Sequence, residues 1–357
     1  MDVVFKYQSQ SIGFSEWLSL LTLAFAPLVA HIFVGVMEPT VLNGEISWKQ
    51  QICHYNPTSI IWRYLAITDR RCRAREWTQL DMAATNAVFW NRKHWDGSLE
   101  IMNEKKDLAT KFPSSNRVSL ASVSVLQTLI ISLQGIQAVY TVIIHAMGKE
   151  AVPGHPISHV FFPLAIIGLL RLPAALWLTQ EYGFPQGEDK GPQGGDDGDV
   201  ELRNLLQQEQ RPASVDDLLN EQFYPRNSWR GIAVRIGFLG TLLLLTVVVI
   251  IVVAVHFGPG TEVAVSSLLT AVYYLFFLVC TIFTFSIYIW TKKSDTTVIP
   301  CIESPVYKAY TYGLILLSIV YVVVTALETR RTSCGLYTTS YIEWGEDESM
   351  CKSYQAF

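Results

Sequence analysis

Six stretches of this chain are apolar over about 20 residues, the length an α-helix needs to cross the hydrocarbon of a bilayer. They cover residues 17–37, 118–147, 157–178, 232–256, 264–290 and 309–327. Such a chain has few folds open to it: inside lipid each backbone N–H and C=O must be bonded within the protein, and separate helices achieve this. The expectation is an all-α, polytopic integral membrane protein with about six transmembrane helices. The composition agrees, since half of the 357 residues are hydrophobic, 16% are charged and the mean hydropathy is +0.27. A net charge of −4 with no nucleic-acid motif leaves the lipid bilayer, and not nucleic acid, as the expected partner.

Lysine and arginine set the expected orientation. The 38–117 loop holds 12 of them, the 179–231 loop 5 and the 291–308 loop 3, whereas both tails and the two short turns share 5. The positive-inside rule then puts residues 1–16 and 328–357 on the non-cytosolic side, with Arg330–Arg331 as a local contradiction. The leader carries only Lys6 and no small-residue cleavage pattern, so the first run reads as a retained span and not as a signal peptide.

The spans differ in character. The first contains Pro27 and His31, and a proline in a membrane helix marks a kink. The second carries Gln127, Gln134 and Gln137, amides expected to point at other helices. In the third, Pro163 and Pro173 flank Arg171, which predicts a broken or bent helix with a charge that either faces the bundle interior or snorkels to the surface. The fourth is nearly featureless and reads as lipid-facing. The fifth is crowded with Tyr273, Tyr274, Phe276, Phe277, Phe283, Phe285, Tyr288 and Trp290, which either line a cavity or form an interfacial belt. Residues 183–199 are dense in Gly, Pro and acid and read as a disordered linker within the 179–231 segment.

The 38–117 loop is too polar to span and too aromatic to be a simple linker, so it should lie on or dip into the membrane surface. Asn56–Pro57–Thr58–Ser59 is a turn and N-cap signal after which a helix can begin. From Trp77, the residues Leu80, Ala84, Ala87 and Val88 recur at helical spacing with Asp81 on another face, which predicts an amphipathic interfacial helix. Arg70, Arg71, Arg73 and Arg75 form either a phosphate clamp or an anchor on anionic lipid.

Glu38, Asp81, Glu303 and Asp69 all fall on the expected cytosolic border. A carboxyl partly buried among apolar groups can stay protonated near neutrality and act as a general acid; the plainer reading of each is a solvated loop charge. Asp81 and Glu38 are the candidate catalytic acids, and Arg171, Trp90 and Tyr64 the candidate substrate-binding residues. His145, His155, His159 and His256 map to the opposite border without a clustered histidine box, and no Walker loop, nucleophile elbow, dinucleotide fingerprint or DDxxD motif occurs. Neither a metal nor an organic cofactor is expected. Cys334 and Cys351, both in the non-cytosolic tail, are expected to pair, and Cys53, Cys72, Cys280 and Cys301 to remain free thiols.

The run HYNPTSIIWRYLAITDRRCRAREW (54–77), followed by DMAATNAVFW (81–90) and HWDG (94–97), resembles a pattern in multi-spanning membrane proteins of filamentous ascomycete fungi. Some of these are associated with secondary-metabolite pathways. The resemblance covers residues 17–97 best. Membrane proteins of this size and look include terpene cyclases of the ascochlorin and ascofuranone type, which close an epoxidised prenyl chain on an aromatic core. No catalytic motif carries over residue by residue, and the chain departs from the smaller seven-span meroterpenoid cyclases in length, span count and first loop. The resemblance implies an endoplasmic-reticulum enzyme acting on a lipophilic prenylated molecule beside other pathway enzymes. In it, a protonated carboxyl would open an epoxide and aromatic side chains would shield the cation. The competing expectation is a non-enzymatic scaffold or transporter.

Overall fold

A computed structural model describes residues 2–5, 7, 12–119, 121–146, 156–185, 221–256, 262–339 and 351. Six of its helical segments are long and apolar enough to cross a membrane. They are α1 (Phe14–Gly35), a long helix at Val123–Ala146, a broken segment at Ile157–Ala174, and three helices at Trp229–His256, Val265–Trp290 and Pro305–Glu328. The chain is therefore a multi-pass, all-α membrane protein. The linker expected at 183–199 lies outside the described residues beyond Pro185, as do His155 and the side chains of His145 and His256.

Between α1 and the second span the chain builds a compact polar unit. After β1 (Asp2–Val4) and α1 come β2 (Thr40–Asn43), α2 (Trp48–Gln51), α3 (Pro57–Arg73) and α4 (Gln79–Asn86). They are followed by β3 (Phe89–Asn91), β4 (Trp95–Asp96) and α5 (Leu99–Lys105). Strand β2 pairs parallel with β3, and β3 antiparallel with β4. The remaining spans are α6 (Val123–Ala146), α7 (Phe162–Gly168) with a 3-10 turn on either side, α8 (Trp229–His256), α9 (Val265–Trp290) and α10 (Pro305–Glu328).

Local chemistry explains where these helices start. The Asn56 side chain accepts from Thr58 N at 2.9 Å with Pro57 at the first helical position, so the turn signal read from the sequence opens α3. Ser304 does the same for α10, accepting from Tyr307 N with Pro305 behind it. The third span is broken as expected, with Pro163 in the first turn of α7 and Pro173 inside the following 3-10 turn.

The helix expected from Trp77 through Val88 is corrected in its extent and its burial. α4 ends at Asn86, Ala87 caps it, and Val88 leads into β3. The stretch is buried because it has a core of its own, in which Trp77, Met82, Ala87, Phe89, Met102 and Phe184 pack together. The deeper insertion belongs to α3. Thr58 bonds Thr281 at 2.8 Å and Tyr310 at 2.9 Å, Asn56 bonds Thr311, and farther along Trp62 packs edge-on to Phe285. Thr281 lies nine residues inside the end of α9, about 13 Å at helical rise. Helix α3 thus starts within the bundle and runs out toward the end of α9.

The expectation for the glutamines of span two is corrected for Gln137 alone, Gln127 and Gln134 being half-buried. The buried seam of α6 is Ser124, Thr128, Ile131, Gly135 and Ala138, while Gln137 is exposed. Close packing there needs small residues: a Cβ on Gly135 would come within 2.7 Å of Leu169 and 2.8 Å of the Ala165 carbonyl. Span four, by contrast, is only 11% buried, in keeping with a lipid-facing helix. The aromatic residues of α9 divide, with Tyr273, Tyr274, Phe277 and Phe285 buried and Phe283 and Trp290 exposed.

The bundle has two unlike ends. One gathers the polar unit and the basic loops. At the other, β1 pairs with β5 (Glu262–Ala264), Glu328 bonds the first N–H groups of α9, and the strands β6 (Arg330–Arg331) and β7 (Tyr337–Thr338) pair. The expected disulfide between Cys334 and Cys351 is formed at this end, and the other four cysteines are free.

Candidate functional site

Four elements bring two arginines together at the inner edge of the polar unit. Arg63 and Tyr64 lie on α3, Arg171 on the 3-10 turn Leu169–Ala174, His31 on the last turns of α1, and Ser124 and Thr128 on the first turns of α6. All are buried; Arg171 is 2% exposed and Arg63 7%. Arg171 therefore faces the interior, and its guanidinium sits over the Tyr64 ring at 5.7 Å. The two residues paired here from the sequence as substrate-binding candidates are neighbours in space.

The arginines first satisfy the fold. Arg63 Nη1 donates to the Gly35 carbonyl at 3.0 Å and Arg171 Nη1 to the Val34 carbonyl at 3.2 Å, so both cap the C-terminal end of α1. Arg171 also donates to Thr128 Oγ1 and Ser124 Oγ, and Arg63 to Asn86 Oδ1. Asn86 is fully engaged, its amide donating to the Met82 and Trp177 carbonyls.

Charge is left over. Neither arginine forms an ion pair with a carboxylate among the described residues. The C-terminus of α1 supplies roughly half a negative charge, and the N-terminus of α6, which has no acid in its first turn, supplies the opposite sign. Two full positive charges are thus nearly uncompensated in a buried place, where each costs several kcal/mol. Burial pushes Arg63 down to about 10, with Tyr182 and Tyr64 acting the other way and Arg171 adding to the fall. It remains charged at neutral pH. Tyr182 is pushed up to about 12, chiefly by burial. Around the pair, Arg63 Nε, the Tyr64 hydroxyl and both ring nitrogens of His31 are buried without a hydrogen-bond partner.

The remaining sequence candidates stand apart from this pair. Asp81 is 1% exposed, but its carboxylate is the capping group of α4. It accepts from Thr78 N at 2.9 Å, Thr78 Oγ1 at 2.8 Å and Gln222 Nε2 at 2.9 Å, with Lys106 Nζ at 3.6 Å. The expected apolar surroundings of an unpaired acid are absent there, because the cap requires the carboxylate to be bonded. Glu38 is exposed, three residues beyond the end of α1, where its carbonyl accepts from Tyr182 Oη at 3.3 Å. Trp90 is 2% exposed and packs on Trp95 at 4.9 Å, with its Nε1 unpartnered.

The arginine cluster of α3 fits neither of its expected roles as a whole. Arg73 pairs with Asp69 and Asp295, and Arg235 of α8 also binds Asp69. Arg70 donates to the Gly97 and Asp295 carbonyls, Arg71 stacks on Trp77 and Trp177, and Arg75 and Arg230 both approach the Tyr224 ring. These residues tie α3, α8 and the loop after α9 to one another. Asp69 is engaged through Oδ2, its Oδ1 being buried without a partner, and Glu303 accepts from Trp95 N at 2.8 Å.

Glu303 also borders an open cleft of about 360 Å³ with His94, Asp96, Ser98 and Thr296. Its polar groups are largely bonded locally: Asp96 accepts from Ser98 N, and His94 bonds Asn91. What sets Arg63 and Arg171 apart is that unpartnered polar groups of Arg63, Tyr64 and His31 lie beside two guanidiniums that have no carboxylate among the described residues. Of the residues there, sequence reasoning missed Arg63 and the role of His31. Each is a charged or titratable residue inside an apolar run, SIIWRYLAI for Arg63 and VAHIF for His31, which was the available signal. No family model, curated protein or solved structure matches the chain.

Proposed function

We propose that the chain is a membrane enzyme that holds a lipophilic, prenylated small molecule inside the bundle at Arg171, Tyr64 and Arg63, and closes its epoxidised chain in an acid-initiated cyclisation. The binding half is supported by one observation, two buried guanidiniums without a carboxylate beside unpartnered polar groups. Ionisable groups within a membrane bundle are costly and mark ligand paths. The chemical half rests on the resemblance of residues 54–97.

Electrostatics orient the molecule. A carbocation would be repelled by two guanidiniums, so the polar core of the substrate belongs at the arginines and its chain toward the aromatic seam of Phe161, Tyr273, Tyr274 and Tyr321. Phe161 and Arg171 are ten residues apart on one span, about 15 Å at helical rise. Neither candidate acid is placed at the substrate's chain end: Asp81 is taken up by its cap, and Glu38, whose carboxylate oxygens the described protein leaves unbonded, lies three residues beyond the end of α1 that the arginines cap. In the proposed step a protonated carboxyl gives its proton to the epoxide oxygen, the opened chain closes on an alkene, and loss of a proton from the final cation restores the acid.

The test is an assay of microsomes supplied with a farnesylated phenol and with a farnesylated hydroxybenzoic acid, each bearing a terminal epoxide. A product of unchanged mass is expected from the wild type and from Asp81→Ala, and none from Arg171→Gln. Unchanged substrate in the presence of folded protein would remove the cyclase and favour a scaffold or transporter.

A further inference from the structure

We infer that the Arg63–Arg171 site is an oxyanion site, and that its ligand carries a carboxylate or phosphate on a lipophilic body. The inference rests on the site proposed above and names the head group it takes. A neutral phenol would satisfy the unpartnered donors but not the charge. Two guanidiniums sit against one helix C-terminus worth roughly half a charge, so a neutral ligand leaves more than one positive charge buried.

The uncommitted donors suit an anion. A guanidinium has five N–H groups, of which Arg63 uses two on protein carbonyl oxygens and Arg171 three on protein oxygens. Arg63 Nε and Tyr64 Oη are both partnerless, and Tyr64 is in contact with Arg171 through its ring. Planar guanidinium forks bind carboxylate and phosphate oxygens in pairs, and a hydroxyl adds a third donor. His31, at the Arg171 side with both nitrogens unpartnered, completes the polar wall. The ion network around Asp69 and Asp295 shows the contrast, because there the buried Arg73 and Arg235 have carboxylate partners.

The experiment uses the full chain purified in neutral detergent, with its melting temperature as readout. The probes are a farnesylated hydroxybenzoic acid, the methyl ester of that acid, dioleoyl phosphatidic acid and dioleoyl phosphatidylcholine. The free acid is expected to raise the melting temperature, with at least tenfold weaker binding of the ester. Tyr64→Phe removes a hydroxyl that bonds nothing, so this variant should melt normally while binding the acid about tenfold more weakly. Arg63→Gln should lose the response. Stabilisation by phosphatidic acid alone, lost in Tyr64→Phe, would support the oxyanion site while assigning it to a lipid head group and overturning the enzyme reading. Equal binding of acid and ester would overturn the oxyanion site and leave the proposed function standing. No response to any probe from protein that melts cooperatively would overturn both.

Discussion

Asp81 shows how far a residue's role depends on what its neighbours need. Its burial beside small and aromatic residues matches what an acid catalyst would have, yet the carboxylate closes a capping box with Thr78 and receives Gln222. Asp81→Ala should destabilise the fold by about 1–2 kcal/mol, the ordinary cost of losing a cap, with catalysis surviving in the folded fraction. A melting curve and a turnover assay on the same preparation check this; loss of turnover at unchanged stability would return Asp81 to the chemistry. The opposite case is Arg63, whose guanidinium is buried, caps a helix and still has an unmet donor. Sequence alone could flag it as a charge in an apolar run but could not say that its neighbour is Arg171, 108 positions away.

Among the elements, the crossing of α1 and α3 holds the site together, and it depends on Gly35. A Cβ there would fall 2.3 Å from Ile60 Cγ2, far inside contact distance. Gly35→Ala should therefore cost about 1–3 kcal/mol through overpacking, and Ile60→Ala in the same chain should recover part of the loss. A double-mutant cycle of melting temperatures measures it; additive losses would mean that the crossing is not the contact responsible. The spans were legible because apolar length is a local property, and so was the start of α3, since caps are written in adjacent residues. The placement of α3 was not legible. Its polar residues gave no hydropathy signal, and its partners Thr281, Tyr307 and Tyr310 are 223 to 252 positions away. The same period of small residues that read as a surface helix after Trp77 was equally compatible with a buried one, and the second core decided it.

At the scale of the whole molecule, an even number of spans returns both chain ends to one side, and contacts hold them there. Arg331 pairs with Glu16 at 3.1 Å, Tyr337 donates to the same carboxylate, and β1 pairs with β5. With the basic loops facing the cytosol, epitope tags at residues 1 and 357 should both survive protease added to sealed microsomes, while a tag inserted at 200 should be digested. The reverse pattern would invert the orientation. The half-inserted course of α3 also governs biogenesis. Because the translocation machinery recognises hydrophobic length, α3 emerges from the ribosome as a segment it has no reason to insert, and the helices that receive α3 are synthesised only afterwards. The N-terminal third of the protein must wait, its buried arginines still hydrated, until α9 and α10 arrive, so a chain arrested before residue 311 would present an open, chaperone-binding surface in place of the finished bundle.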